Sequence, residues 1–305
     1  MFAVLFLFLC VQGVAFSAPV SVAILYPDVP EPYQRIFMEI VSGINQRLSA
    51  GVHDYVLDND FDVKDIEAWL NKQKVSVIIA LGRRGLNAAT AATEKIPIVS
   101  GALLLTPQDE KTNVVGISLA ADPKLLFSRL LALSPDIKRI HTVYDPRQNA
   151  WIMGLAEKEA ASLNLELVTY QAGSLREAVY DYKKILFDAD PRSDALWLPV
   201  DSTTMNDQVV LPLILRESWD RGLVVFSSNP AHASKGVLFS VFPDNKALGA
   251  NLAALAQKIA AGDSTPAIYP LDKLSFAINE RTADHLGLSM SAQWRRKFKY
   301  VFPSR

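Results

Sequence analysis

The 305-residue chain is half apolar and 21% charged, and its 31 Lys and Arg balance 32 Asp and Glu to a net charge of −1. This excludes a disordered chain, a polyacidic tail and the basic footprint of a general nucleic-acid binder. The single cysteine, Cys10, lies in an N-terminal apolar run, so a chain that loses that run has no thiol for disulfides, nucleophilic catalysis or zinc.

Residues 1–17 read as an export signal. Met1 to Val11 are almost unbroken Phe, Leu and Val, and the first charge in the chain is Asp28. The run is too short to span a bilayer comfortably and ends in small residues around Phe16, which places cleavage near Ser17/Ala18 and the mature protein in the periplasm. Beyond it, Ser21 to Tyr26 is a buried strand ended by Pro27. Glu31 to Leu48 carries Ile36, Ile40, Ile44 and Leu48 at four-residue spacing, the apolar face of a helix. Strand His53–Leu57, helix Val63–Lys72, strand Val75–Leu81, helix Gly85–Thr93 and strands Ile96–Gly101 and Val114–Leu119 follow. The alternation restarts after Asp122-Pro123 with helix Lys124–Leu133, strand Ile137–Tyr144, helix Asn149–Leu163 and strand Glu166–Tyr170. It continues with helix Leu175–Phe187, strand Ala195–Pro199, helix Met205–Arg221, strands Leu223–Phe226 and Val237–Val241, and helix Asn245–Ala261.

Strands alternating with helices of ten to fifteen residues predict parallel sheets covered on both faces. Two such series predict an α/β fold of two doubly wound parallel-sheet lobes joined by a multi-crossing hinge. Ligands in such sheets sit beyond the carboxyl ends of the strands. Enzyme signatures are missing: the sequence has no phosphate loop, dinucleotide fingerprint, Gly-x-Ser-x-Gly elbow or HExxH helix. The four histidines, at 53, 141, 232 and 285, do not fall at metal-ligand spacing. Asp58, Asp60 and Asp62 lack the Gly and closing Glu of a calcium loop. No catalytic residue, metal or cofactor is expected.

Four blocks carry a family resemblance: IPIVSGALLLTPQDEKTNVVGISLAADP (96–123), LLALSPDIKRIHTVYDPRQNAW (130–151), DALWLPVDSTTM (194–205) and YPLDKLSFAINERTADHLGLSM (269–290). In order and spacing the chain resembles the ABC-transporter substrate-binding proteins whose better-known members bind tryptophan and other aromatic amino acids. The resemblance implies a type I periplasmic-binding-protein fold. It also implies lobes over residues 18–119 plus about 245–268 and 120–244 plus about 269–305, a hinge of about three crossings, and a monomer that closes on a small molecule for an ABC permease. A ligand-binding module for a sensor or other envelope system, and an exported enzyme on the same fold, remain as alternatives.

By position, the ligand loops are Tyr26 to Tyr33 (with Asp28), Gly82 to Gly85 (with Arg83 and Arg84), Ser100-Gly101, Tyr144 to Asn149 (with Asp145), Asp201 to Thr203 (with Ser202), Ser227 to Asn229 (with Ser228), and Phe242 to Asp244. Hydroxyls suit a carboxylate, Asp145 and Asp201 suit an ammonium or sugar hydroxyls, and the tyrosines and Phe242 suit apolar walls. The polar residues serve equally as caps of the helices that follow. Of Arg83 and Arg84, adjacent on a turn, one can face the cleft and hold an anion. The basic, aromatic stretch from Trp294 to Tyr300 is expected to pack its aromatics on a lobe and leave its charges in solvent.

Overall fold

The computed structural model describes residues 21–48, 50–107, 114–263, 267–288 and 291–303. The expected leader over residues 1–17 lies outside the described residues. Among the described residues no helix is long and apolar enough to cross a membrane.

The chain runs β1 (Val22–Pro27), α1 (Tyr33–Arg47), β2 (Val52–Leu57), α2 (Val63–Gln73), β3 (Val77–Leu81), α3 (Gly82–Ala92), β4 (Ile98–Gly101) and β5 (Val114–Ala121). A second series follows: α4 (Pro123–Leu133), β6 (Arg139–Tyr144), α5 (Pro146–Ser162), β7 (Glu166–Gln171), α6 (Leu175–Asp188), β8 (Asp194–Leu198), α7 (Val210–Arg221), β9 (Val224–Ser227), α8 (His232–Lys235) and β10 (Phe239–Pro243). The chain closes with α9 (Asn245–Ala260), β11 (Ile268–Leu271), β12 (Leu274–Asn279), α10 (Glu280–His285), α11 (Ala292–Arg295) and β13 (Tyr300–Phe302).

Two sheets result, ordered β11-β5-β4-β3-β1-β2 and β13-β12-β10-β9-β8-β6-β7. Pairing is parallel except where β12 lies antiparallel to β10. Each series therefore winds in the same way: its first strand sits between its second and third, so the order reverses at β1/β3 in one sheet and at β6/β8 in the other. A parallel sheet opens a crevice at such a reversal, beyond the carboxyl ends of its strands.

The chain passes from the first sheet to the second after β5, returns after β10 through α9, and passes over again between β11 and β12. The expected lobe boundaries at residues 119 and 268 fall inside β5 and β11, which pair with one another up to Ala121 and Leu271. Helix α9 packs on the first sheet by close approach to α1. A methyl group on Gly249 would stand 2.0 Å from the Ile40 carbonyl oxygen, and one on Gly43 2.0 Å from that of Lys246. Only the missing side chains let the two backbones touch.

Local chemistry accounts for the helix starts. Asp122 and Asp145 each cap a helix whose first residue is proline, accepting from the amides of Lys124 and Arg147; proline is pre-set for that position and its missing N–H costs nothing there. Helix α5 therefore begins at Pro146 rather than at the expected Asn149. The Gly82–Gly85 stretch expected as a loop is the first turn of α3, entered through Gly82 at φ 71°, a conformation glycine adopts without strain. Conversely, α7 begins at Val210 rather than Met205. Asn206 takes the amides of Gln208 and Val209 and holds the preceding residues in a turn. In the C-terminal tail, Phe298 is buried and Trp294 packs on the second lobe's core, while Arg296, Lys297 and Lys299 are exposed.

Candidate functional site

The carboxyl ends of the two sheets meet across a small space lined by Leu104 after β4, Ala120 and Ala121 at the end of β5, Asn149 and Ile152 on α5, Trp197, Pro199 and Val200 at the end of β8, and Ser228 after β9. It encloses about 20 Å³, the room of about one water. Its walls are apolar except for Asn149 and Ser228, two of the residues expected from sequence. Trp151 on α5 packs against core clusters of both lobes and ties them together beside this space.

On the second-lobe side, the strand ends of β6 and β8 are bound into one network. Asp201 is 5% exposed. Its Oδ2 accepts from the Asp145 amide at 2.7 Å and Asn149 Nδ2 at 2.8 Å, and its Oδ1 accepts from the amides of Thr203 and Thr204 at 2.9 Å each. Asp145, 1% exposed, accepts from Arg147 through both oxygens and from the Thr203 hydroxyl at 2.8 Å. Its hydrogen bonds with the Arg147 side chain, aided by those from Thr203 and the Arg147 amide, hold the carboxyl far below the usual carboxylate range against the opposing cost of burial. Every oxygen of both carboxylates thus carries two or more donors from the protein. Of the two roles open to Asp145 and Asp201 in the sequence, the structure shows capping and loop bracing. Gln148 completes the group: its Nε2 donates to Thr203 Oγ1 at 2.8 Å, and its Oε1 accepts from the Ser202 hydroxyl at 3.1 Å.

The end of β9 is built around a buried imidazole. Ser227 Oγ lies 2.8 Å from His232 Nδ1, and His232 Nε2 lies 3.0 Å from Asp207 Oδ1. The Ser227 oxygen also accepts from the Asn229 amide at 2.9 Å. Burial holds the His232 pKa below its ordinary value, with Asp207 opposing and Lys235 adding to the shift. Next to it, Ser228 Oγ accepts from Trp197 Nε1 at 3.0 Å, which leaves the Ser228 proton to be donated.

The first-lobe side separates the two arginines. Arg83 is exposed and reaches the Leu104 carbonyl with Nη2 at 3.4 Å, on the flank of the interlobe space. Arg84 turns the other way and braces the ends of β1 and β2 through the carbonyls of Asp28 and Leu57 at 3.3 and 3.5 Å. Asp28 itself is exposed.

Several expected residues are turned inward. The Ser100 hydroxyl is fully buried and donates to the Ala80 carbonyl at 3.3 Å. A side chain on Gly101 would run into Leu252 of α9. Gly101 therefore serves the contact with α9, while Ser100, on the opposite face of the strand, ties β4 to β3. Tyr26 and Tyr144 lie in core clusters, the latter with its hydroxyl accepting from Gln171 at 3.1 Å. Phe242 packs toward Tyr300, and Asp244 caps α9 through the Ala247 amide.

The structure adds lining residues that sequence reasoning missed: Leu104, Ala120, Ala121, Ile152, Trp197, Pro199 and Val200. The one local signal for them was placement at strand ends. His232 and Asp207 carried no signal at all. Among the described residues no cluster of three potential ligands could hold a metal ion.

A family model described as ABC transporter substrate binding protein matches residues 41–295. No curated protein matches the chain in sequence. Among solved structures, it is similar to a substrate binding protein with adhesive properties from Clostridium difficile in a ligand-free, open structure, with TM-score 0.62, 19% identity, and coverage of 92% of this chain and 99% of that one. It is also similar to an ABC domain from Streptococcus pneumonia in complex with L-Trp, with TM-score 0.55, 19% identity, and coverage of 93% and 100%. A conserved domain protein from Vibrio cholerae gives TM-score 0.53 at 17% identity, with coverage of 93% and 99%. These likenesses show the type I periplasmic-binding fold.

Proposed function

The chain belongs to the family of ABC transporter substrate-binding proteins, and from that membership we propose that it captures a small molecule between its two lobes in the periplasm and delivers it to an ABC-type importer. The observation that carries this reading is the convergence of both sheets' carboxyl ends on one apolar space with Asn149 and Ser228 as its polar points. Small-molecule sites combine apolar walls with a few placed polar groups in this way.

The lobes, 18–119 with about 245–268 and 120–244 with about 269–305, move about the three chain crossings. A space of about 20 Å³ admits no organic ligand, so binding requires the lobes to part and close again. The ligand drives closure by its greater affinity for the closed form. Recognition in this reading is a binding event without bond chemistry: Asn149 and Ser228 orient the ligand, Leu104, Ile152, Trp197, Pro199 and Val200 exclude water, and Arg83 stands at the flank for an anionic group. The protein acts as a monomer whose partner is the permease.

The test is mass spectrometry of small molecules released on denaturing protein purified from the periplasm. Recovery of one molecule in stoichiometric amount, whose rebinding shrinks the radius seen by small-angle scattering, is the expected result. Absence of any bound molecule from repeated preparations, together with an unchanged radius across a metabolite panel, would overturn the reading.

A further inference from the structure

The buried chain Asp207–His232–Ser227 has no place in the capture step described above, yet it ends at the wall of the interlobe space. Its geometry accommodates two proton arrangements without moving a heavy atom. With the ring neutral, the carboxylate of Asp207, 3.0 Å from Nε2, holds the single ring proton there. Nδ1 then accepts from the Ser227 hydroxyl at 2.8 Å. With the ring charged, Nδ1 donates to Ser227 Oγ. The Ser227 proton then turns to the Leu198 carbonyl, which stands 3.1 Å away. Ser227 Oγ keeps its bond from the Asn229 amide in both states.

That carbonyl is not idle. It already accepts the amide of Ser228 at 2.9 Å, and Ser228 in turn holds the Trp197 indole. A second donor on Leu198 O competes with the first, and a positive charge appears beneath the loop.

We propose that His232 is a positioning residue of the cleft wall, whose protonation reverses the Ser227 hydroxyl from donor to acceptor and thereby changes the Ser228–Trp197 contact that lines the interlobe space. The inference rests on reading that space as the ligand site. A ligand that seats on the Ser228–Trp197 arrangement set by the neutral ring favours that form, so its affinity falls as His232 takes up its proton.

Among the described residues, the charged groups facing His232 are Asp207, before α7, and Lys235 on α8, which pair with each other at 2.6 Å. Arg281 shares the surface groove in which Lys235 lies. The contacts from β9, β10 and β12 around α8 are uncharged: Ser227, Ser240 on the Pro230 carbonyl, and Asn279 on the Ala233 carbonyl.

The experiment needs no ligand. The indole N–H signals of the five tryptophans are followed by nitrogen-15 NMR of the full mature protein from pH 8 to pH 4, with Trp197 assigned from a Trp197→Phe variant. The Trp197 signal is expected to move with one midpoint below the ordinary imidazole value of about 6.5. That movement is lost in His232→Gln and in Ser227→Ala, and kept in His285→Gln, whose imidazole stacks on Trp219 instead. A Trp197 signal that does not titrate, or that titrates alike in His232→Gln or Ser227→Ala, overturns the proposal. Failure to recover any bound small molecule would instead remove the binding reading and leave the titration result intact.

Discussion

Replacing Asp201 by alanine measures what this carboxylate does. The side chain is 5% exposed and receives four donors: the amides of Asp145, Thr203 and Thr204 and the side chain of Asn149. Hydrogen bonds to a charged group contribute roughly 1.5–3 kcal/mol each, but the four share one acceptor group and do not add. Removing one partner of a buried charged network costs about 3–5 kcal/mol, much of it from the groups left unpaired, and we expect Asp201→Ala to fall in that range. For a domain of this size each kcal/mol lowers the melting temperature by about 2–4 °C, so a drop of ~6–20 °C is expected. Asp201→Asn restores little, because its amide nitrogen presents a donor where two donors already point. Urea and thermal unfolding followed by circular dichroism supply the measurement. A loss under about 1 kcal/mol for Asp201→Ala would refute the reasoning, because it would mean that the loop after β8 is held by other contacts and the carboxylate is free to meet a ligand.

Asp145 has a folded pKa held below its unfolded value of about 3.9 chiefly by Arg147. Its stabilisation is therefore complete above that value and is lost as pH falls through the folded value; the stability gap between wild type and Asp145→Asn should be level from pH 7 to about 5 and shrink below 4, and a gap unchanged down to pH 2.5 would rule this out. Gly249→Ala places a methyl carbon 2.0 Å from the Ile40 carbonyl oxygen and should destabilise by about 1–3 kcal/mol as α9 is forced off α1; calorimetry showing an unchanged melting temperature would contradict the packing. For an anionic ligand recovered from the protein, Arg83→Ala should weaken binding about thirty-fold or more, whereas Arg84→Ala, whose guanidinium braces Asp28 and Leu57, should change it only a few-fold; titration calorimetry giving less than tenfold for Arg83→Ala would place that arginine outside the site.

Most of the architecture was legible in the chain itself, because its signals are local. The apolar runs that became β1 and β3 and the four-residue spacing of Ile40 and Ile44 on α1 each act within a few residues. So do the Asp-Pro pairs that open α4 and α5, and none needs a distant partner to be read. The same locality explains the misreadings. Nothing within four residues of Gly82 says that the chain turns straight into a helix there. The late start of α7 depends on Asn206 holding a turn that competes with helix. The site was legible as far as the strand ends, and no farther. Ser100 and Gly101 stand at the end of β4 as expected, but what each serves was settled by neighbours distant in the chain: Gly101 lies under α9, a helix that returns from the other lobe, and the Ser100 hydroxyl bonds to Ala80 on β3. Asp145 and Asp201 are likewise two strand-end carboxylates in sequence; only the adjacency of β6 and β8, fixed by sheet order, brings the Asp145 amide onto Asp201 and consumes the charge in bracing loops. The meeting of Ser227, His232 and Asp207 is of the same kind. Hydrogen bonds reach about 3 Å and carry no trace along the chain, so their partners are chosen by how the elements stack rather than by the residues beside them.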